Sequence, residues 1–329
     1  MNMNMMKKIF LLSVLALIIN LGHAQDYPDS VDDGVYYEVN GKKLWTVSFG
    51  QGSPLFFIAG GPGGTHAGLR SFDTLSEHFT LVYYDGYGRG KSDTSAQVSD
   101  YSLENDIDDL EALRVAMGFD KINLLGHSYG GLVAQGFAIK YPESTDHLII
   151  ANSFHSYLMW QANDDNCNHE IKTNYPEVWE DLMKAREDGA ISSDQIHQDI
   201  YSRVPYGFYY AYNPENFVRK PSSKKRKPYP NRFNSKLYYQ MVGKDGDFLV
   251  TSDIGTFDFR KDLKDLKMPV LVYAGRFDRV ATPAEMVKYK KFCPQATFVM
   301  FEKSGHNPQV EEPEKTFELI RSFILDPKQ

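Results

Sequence analysis

Short apolar runs alternate along this chain with stretches whose apolar residues recur every three or four positions. The short runs are Leu55 to Ile58, Thr80 to Tyr84, the Ile122, Leu124 and Leu125 segment, His147 to Ala151, Pro269 to Ala274 and Thr297 to Phe301. Runs of this length without polar alternation mark strands buried on both faces, as in a parallel sheet covered by helices. Between them, Ile107, Leu110, Leu113 and Met117 share one face of a helix over Asn105 to Met117, with Ser102 placed to cap it. Leu132, Val133, Phe137 and Ala138 mark a second helix, Thr282-Pro283 begins another, and a last one runs from Pro313 to Ile324. At the front, Val35 to Val39 and Leu44 to Phe49 flank Asn40-Gly41, a dipeptide suited to a type I′ turn, so an antiparallel hairpin precedes the alternation. The expected class is α/β, with a mostly parallel central sheet and helices on both faces.

From about Ser153 to Thr256 the rhythm breaks. This stretch is rich in Tyr, Asn, Asp and Lys, with helical patches at Pro176 to Glu187 and Ser193 to Tyr201 and aromatic clusters at Tyr206 to Tyr212, Tyr238 and Tyr239. It reads as an inserted, mainly helical lid (153–256) that divides the core into a first part (25–152) and a second (257–329).

Chemistry gathers at the strand ends. The Ile122 run stops at Gly126-His127-Ser128-Tyr129-Gly130 and helical spacing resumes at once. Glycines two residues either side of Ser128 suit a turn too sharp for side chains there. Such a turn lifts the hydroxyl out beside a helix N-terminus, whose free N–H groups and dipole favour a developing oxyanion. Acyl transfer by a serine needs a base to take its proton and an acid to hold that base. Asp278 and His306 each lie just past another strand, in the order Ser, Asp, His, with helix capping as the other use for Asp278. Of the nine histidines, His127 is expected to pack away from the serine, and His66 and His155 fall outside that order. The oxyanion donors expected are the N–H of Tyr129 and that of Gly61, with Gly60 as the alternative, from the loop after Leu55 to Ile58.

Composition narrows the partners. With 329 residues and 42% hydrophobic content the chain can bury one large core. A formal charge of -7 argues against nucleic acid, and the basic run Arg219 to Pro228 reads as a solvated loop. The glycines of Asp85 to Ser92 do not meet the spacing of a phosphate cradle. Cys167 and Cys293 have no metal or catalytic pattern and read as buried free thiols, with one disulfide as the alternative in an exported chain; neither a metal nor an organic cofactor is implied. Lys7 and Lys8, the apolar run Ile9 to Leu21 and Gly22-His23-Ala24 form an export signal (1–24) cleaved after Ala24. That predicts a periplasmic or extracellular protein without a stable membrane anchor.

Together, Gly60-Gly61-Pro62-Gly63-Gly64, Asp85-x-x-Gly88-x-Gly90-x-Ser92, Gly126-x-Ser128-x-Gly130-Gly131, Gly275-x-x-Asp278 and Gly305-His306 resemble the α/β-hydrolase superfamily. More narrowly they resemble its proline iminopeptidase (prolyl aminopeptidase) branch, to which a Gly-Gly-Pro-Gly loop is characteristic. The resemblance spans Val35 to Ile324 and implies the α/β-hydrolase fold and a serine hydrolase releasing an N-terminal residue from short peptides through an acyl-enzyme. An esterase or other small-molecule hydrolase on the same triad, and a ligand-binding protein without chemistry, are the alternatives. The branch's usual His before the glycine loop is Ala59 here, and its usual Gln-Arg after Asp85 is Gly86-Tyr87. Lid acids of that branch hold the substrate's free amino group; Asp247, within Gly243 to Phe248, is the matching position.

Overall fold

Asn40 and Gly41 both adopt positive φ, 48° and 75°, which a two-residue I′ turn demands. Strand β1 (Val35–Val39) therefore folds back on β2 (Lys42–Gly50), with Val39 opposite Lys42. The computed structural model describes residues 34–214, 229–230 and 232–326. The expected export signal and the Arg219 to Pro228 run lie outside the described residues.

The apolar runs become β3 (Pro54–Ile58), β4 (Thr80–Tyr84), β5 (Ile122–His127), β6 (Thr145–Ala151), β7 (Val270–Gly275) and β8 (Thr297–Phe301). All eight strands join one sheet in the order β1-β2-β4-β3-β5-β6-β7-β8. Strand β2 pairs antiparallel with β1 and β4, and every pairing from β4 to β8 is parallel. Strand order reverses between β3 and β5, so the loops leaving these two neighbours diverge and open a crevice at their carboxyl ends.

The central strands show why they sit there. Every residue of β5 is buried, and Phe56, Leu124, Leu148, Ile150 and Val272 pack in one core with Leu110, Leu113, Leu132 and Phe137. The last four come from α1 (Leu103–Ala116) and α2 (Tyr129–Lys140). Ser102 caps α1, its hydroxyl accepting the Asn105 N–H at 3.1 Å. Both cysteines are buried free thiols.

Between β6 and β7 stand α3 (Tyr157–Asn174), α4 (Pro176–Glu187), α5 (Gln195–Tyr201), α6 (Tyr206–Tyr210) and α7 (Ser235–Val242). The chain enters and leaves this insertion side by side: Tyr157 N–H donates to Phe257 O, and Phe259 N–H to His155 O, both at 2.9 Å. Helix α3, 18 residues long, has no counterpart among the expected elements. Its buried face carries Asn163 and Asn168 beside Met159, Trp160, Cys167 and Ile171, so the apolar periodicity that announces a helix is interrupted. The helix expected from Thr282-Pro283 is a single turn, α8 (Pro283–Met286), followed by α9 (Tyr289–Phe292). The chain ends with α10 (Pro308–Glu311) and α11 (Pro313–Leu325). Among the described residues no helix is long and apolar enough to cross a membrane.

Leu124 is fully buried in the core, whereas Val115 is 59% exposed on α1. Leu124→Ala should cost about 2–5 kcal/mol by leaving a cavity, and Val115→Ala should stay within about 0.5 kcal/mol. Urea unfolding midpoints measure both; equal shifts would contradict the central place of β5.

Candidate active site

The elbow is built by exclusion. A Cβ on Gly126 would come within 2.3 Å of Gly130 O, and one on Gly130 within 2.0 Å of Ile58 O. Only glycine fits either place, and the first turn of α2 therefore presses directly on the end of β3. Ser128 takes φ 55° and ψ -124°, a conformation costing about 1–3 kcal/mol that a surrounding fold must hold. The holding bonds are Ser128 N–H to Ala151 O at 2.9 Å, Gly131 N–H to Ser128 O at 2.9 Å, and the Ser153 hydroxyl to Ser128 O at 2.7 Å.

Asp278 follows β7, His306 follows β8, and the two meet. His306 Nδ1 lies 2.7 Å from Asp278 Oδ2, with both side chains almost wholly buried. The other Asp278 oxygen accepts the N–H groups of Val280 and Ala281 at 2.8 and 2.9 Å, so the residue shapes its own loop as well as orienting the imidazole. Asn152, at positive φ after β6, donates to Asp278 Oδ2 at 2.8 Å and to Gly305 O at 3.2 Å. It joins the loop of the acid to the loop of the histidine. Among the described residues no hydrogen bond links the Ser128 hydroxyl to His306, as is frequent before a substrate tightens such a site.

The loop after β3 reaches the serine. A Cβ on Gly60 would fall 2.8 Å from Ser128 Cβ, and Gly61 turns away at φ 54° toward the Phe233 ring. Tyr129 opens α2, where the first N–H groups have no partner within the helix. Behind this loop, His66 Nδ1 lies 2.8 Å from Asp85 Oδ1, and the Tyr229 hydroxyl donates to Asp85 Oδ2 at 2.7 Å. Burial opposes the charge of Asp85, but these hydrogen bonds and the Lys91 N–H keep its carboxyl below the usual range.

His127 packs, as its sequence position suggests, but toward the site. Its Nε2 lies 2.8 Å from the His306 carbonyl oxygen, and the two rings are 4.8 Å apart. A carbonyl only accepts, so Nε2 of His127 carries the proton. His155 instead sits edge-on to Tyr289 and Phe292, at 5.3 and 4.8 Å, and belongs to the core.

Asp247 stands in the lid. Its Oδ2 accepts the Tyr239 hydroxyl at 3.0 Å and lies 3.2 Å from Nε2 of the fully buried His197, without the alignment of a hydrogen bond. Sequence reasoning did not single out its neighbour Asp164 on α3, whose Oδ2 is buried without a partner. Burial, then Asp247 and Asp165, push the Asp164 carboxyl well above the usual range. Burial raises the Cys167 thiol, and Asp164, Asp278 and Asp247 add to the effect. The lid also grips the histidine loop. His306 N–H donates to Tyr210 O at 2.9 Å, and Glu311 accepts the Gly305 N–H at 2.6 Å and the Tyr212 N–H at 2.8 Å.

Burial, with repulsion from His306, lowers His127 to about 3; burial, with Arg260 and Lys288, lowers His155 to about 4. An unfolded histidine titrates near about 6.5. Between those values the unfolded chain binds more protons, so stability is complete above about 6.5 and is lost as pH falls toward the folded values. Denaturant unfolding of His155→Gln at pH 8, 6 and 5 should show a flatter fall with acid than the parent; an identical fall would contradict a buried neutral His155.

Two proline iminopeptidases are relatives by sequence, from Heyndrickxia coagulans and Saccharolobus solfataricus. Each is 28% identical over 292 residues, covering 88% of this chain and 97% and 88% of the relatives respectively. The crystal structure of proline iminopeptidase from Mycobacterium smegmatis shares the fold with a TM-score of 0.71 at 22% identity, over 88% of this chain and 97% of that one. The α/β-hydrolase fold family model matches residues 53–313, a span that holds the elbow, the lid and both members of the dyad, and the chain belongs to that family.

Proposed function

We propose that this protein is a serine hydrolase that releases the N-terminal residue of short peptides, in the manner of the proline iminopeptidases it resembles. The observation that carries the reading is the constrained Ser128 elbow with the Asp278–His306 pair at neighbouring strand ends. His306 takes the Ser128 proton as the hydroxyl oxygen attacks the acyl carbon, and Asp278 stabilises the resulting imidazolium. The oxyanion is received by the N–H of Tyr129 and one from the glycine loop. Gly61 is the first choice for the second donor, and the approach of Gly60 to Ser128 supports the alternative. His306 then protonates the departing amine, and water attacks the acyl-enzyme with His306 again as base.

Selection of free amino termini is assigned to the lid. Two carboxyls near one another in buried surroundings, one with an unpartnered oxygen, are electrostatically costly until a cation arrives. An ammonium group between Asp164 and Asp247 relieves that cost, and charge-assisted hydrogen bonds hold it. Tyr238 shares the electrostatic surroundings of these two carboxyls. Burial and the charges of Asp247 and Asp164 raise its hydroxyl, and Tyr210 bridges toward His306, the rings 5.5 Å apart. An esterase on the same triad remains the second reading, because Ser128, Asp278 and His306 alone do not choose an amide over an ester. The Lys7 to Ala24 pattern supports action after export.

Labelling by a fluorophosphonate probe should vanish in Ser128→Ala, with kcat down by about 10⁴-fold or more; undiminished labelling would remove the nucleophile assignment. A panel of aminoacyl arylamides, their N-blocked counterparts and simple esters separates the substrate readings. Activity confined to blocked amines or esters would leave the hydrolase and reject the aminopeptidase. Asp247→Asn and Asp164→Asn should each lower arylamide kcat/KM about 10- to 100-fold, the worth of a charge-assisted hydrogen bond, while ester hydrolysis holds; equal retention of both would dismiss the amine anchor.

A further inference from the structure

A buried ion pair outside the dyad joins the two places from which the oxyanion donors come. Arg89, in the loop after β4, donates through Nε to the carbonyl of Pro62, within the glycine loop that follows β3. Its two terminal nitrogens donate to Asp106 on α1 at 2.8 and 2.7 Å. The Tyr129 hydroxyl donates to the same carboxylate, Asp106 Oδ2, at 2.6 Å. One guanidinium–carboxylate pair, with side chains 5% and 10% exposed, therefore holds the glycine loop on one side and the first residue of α2 on the other.

Other contacts hold the root of the loop and its lid side. Strands β3 and β5 are in register up to Ile58 opposite Gly126, which fixes where each chain leaves the sheet and nothing beyond. A cavity of about 20 Å³ lined in part by Ala59, Gly64, Arg89, Asp106 and Tyr129 lies beside this network, while the close contacts of Gly130 with Ile58 and of Gly60 with Ser128 fix the root of the loop. Asn234 N–H holds Gly63 O at 2.9 Å from the lid side and makes no bond to α2 there. Burying a charged pair brings no stability by itself. A rigid fork of five donors, however, can serve a carbonyl and both oxygens of a carboxylate at once.

We propose that Arg89 is a positioning residue for the oxyanion hole: paired with Asp106, it sets the separation between the Gly60-Gly61 loop and Tyr129 at which their N–H groups converge on one oxygen. The inference rests on the hydrolase reading above. Lysine keeps the charge but offers a single nitrogen, so Arg89→Lys cannot hold Pro62 and both Asp106 oxygens together. Tyr129→Phe removes only the hydroxyl bond to Asp106 and leaves the backbone donor in place.

The test uses the full chain and two readouts: the second-order rate of Ser128 labelling by a fluorophosphonate, whose transition state places negative charge in the hole, and kcat and KM for an acyl substrate. Thermal midpoints are recorded alongside. Arg89→Lys should slow labelling and lower kcat by about 10- to 100-fold, short of the 10²- to 10³-fold typical of deleting a donor, with KM within twofold. Tyr129→Phe should move both rates the same way by a smaller factor, about 3- to 10-fold, at an unchanged midpoint. If Arg89→Lys does not fold, Tyr129→Phe decides. Folded variants that label and turn over within twofold of the parent overturn the positioning role alone, as does a change confined to KM. A parent protein that neither labels nor hydrolyses acyl substrates overturns the hydrolase reading and this inference with it.

Discussion

The contact on which the site depends is the one between Gly130 and the carbonyl of Ile58, where no side chain can intervene. It sets α2 flush against the end of β3, and that closeness constrains both the elbow and the loop beside it. The chain must turn from β5 into α2 within two residues, and the residue that absorbs the turn is Ser128 at positive φ. The same contact brings the loop after β3 against the serine, since these strands are neighbours in the sheet. The strain at Ser128, about 1–3 kcal/mol, is no larger than the contribution of one buried leucine, and β5 is buried along its whole length. A core of this size keeps a strained turn in place at modest cost.

The fold was readable because its strands carry the strongest signal a sequence can give. Short apolar runs followed by polar residues located Thr80–Tyr84 and Thr297–Phe301 to the residue, and the Asn40-Gly41 turn appeared where its chemistry put it. The pairing of Asp278 with His306 followed from position at strand ends, because parallel strands bring those ends together wherever their order lies in the chain. Asp106 and Asn152 were not found, although each leaves a trace. Asp106 stands one turn before Leu110 on the stripe that faces the core, and a buried acid there needs a partner such as Arg89. Asn152 directly succeeds a strand, in the left-handed conformation that asparagine tolerates.

The lid was least legible for a physical reason. Its longest helix buries Asn163 and Asn168 among apolar side chains, and its interior carries Asp164, Asp247 and His197 where a core would place leucines. A region that buries polar side chains among apolar ones forfeits the periodicity by which helices are recognised. Asp164 illustrates the loss: nothing in its local sequence separates it from the exposed Asp165, and only the folded chain shows which of the two turns inward.

The backbone N–H of His306 is bonded to the Tyr210 carbonyl, and Glu311 clasps Gly305 and Tyr212 together. Displacing α6 from the core therefore breaks bonds that hold the His306 loop. The position of α6 and the alignment of the imidazole are thermodynamically linked, and linkage is reciprocal: whatever steadies α6 steadies the His306 loop, and whatever holds that loop favours the docked α6. Helix α6 and the loop that presents the His306 imidazole are in that sense one mechanical unit.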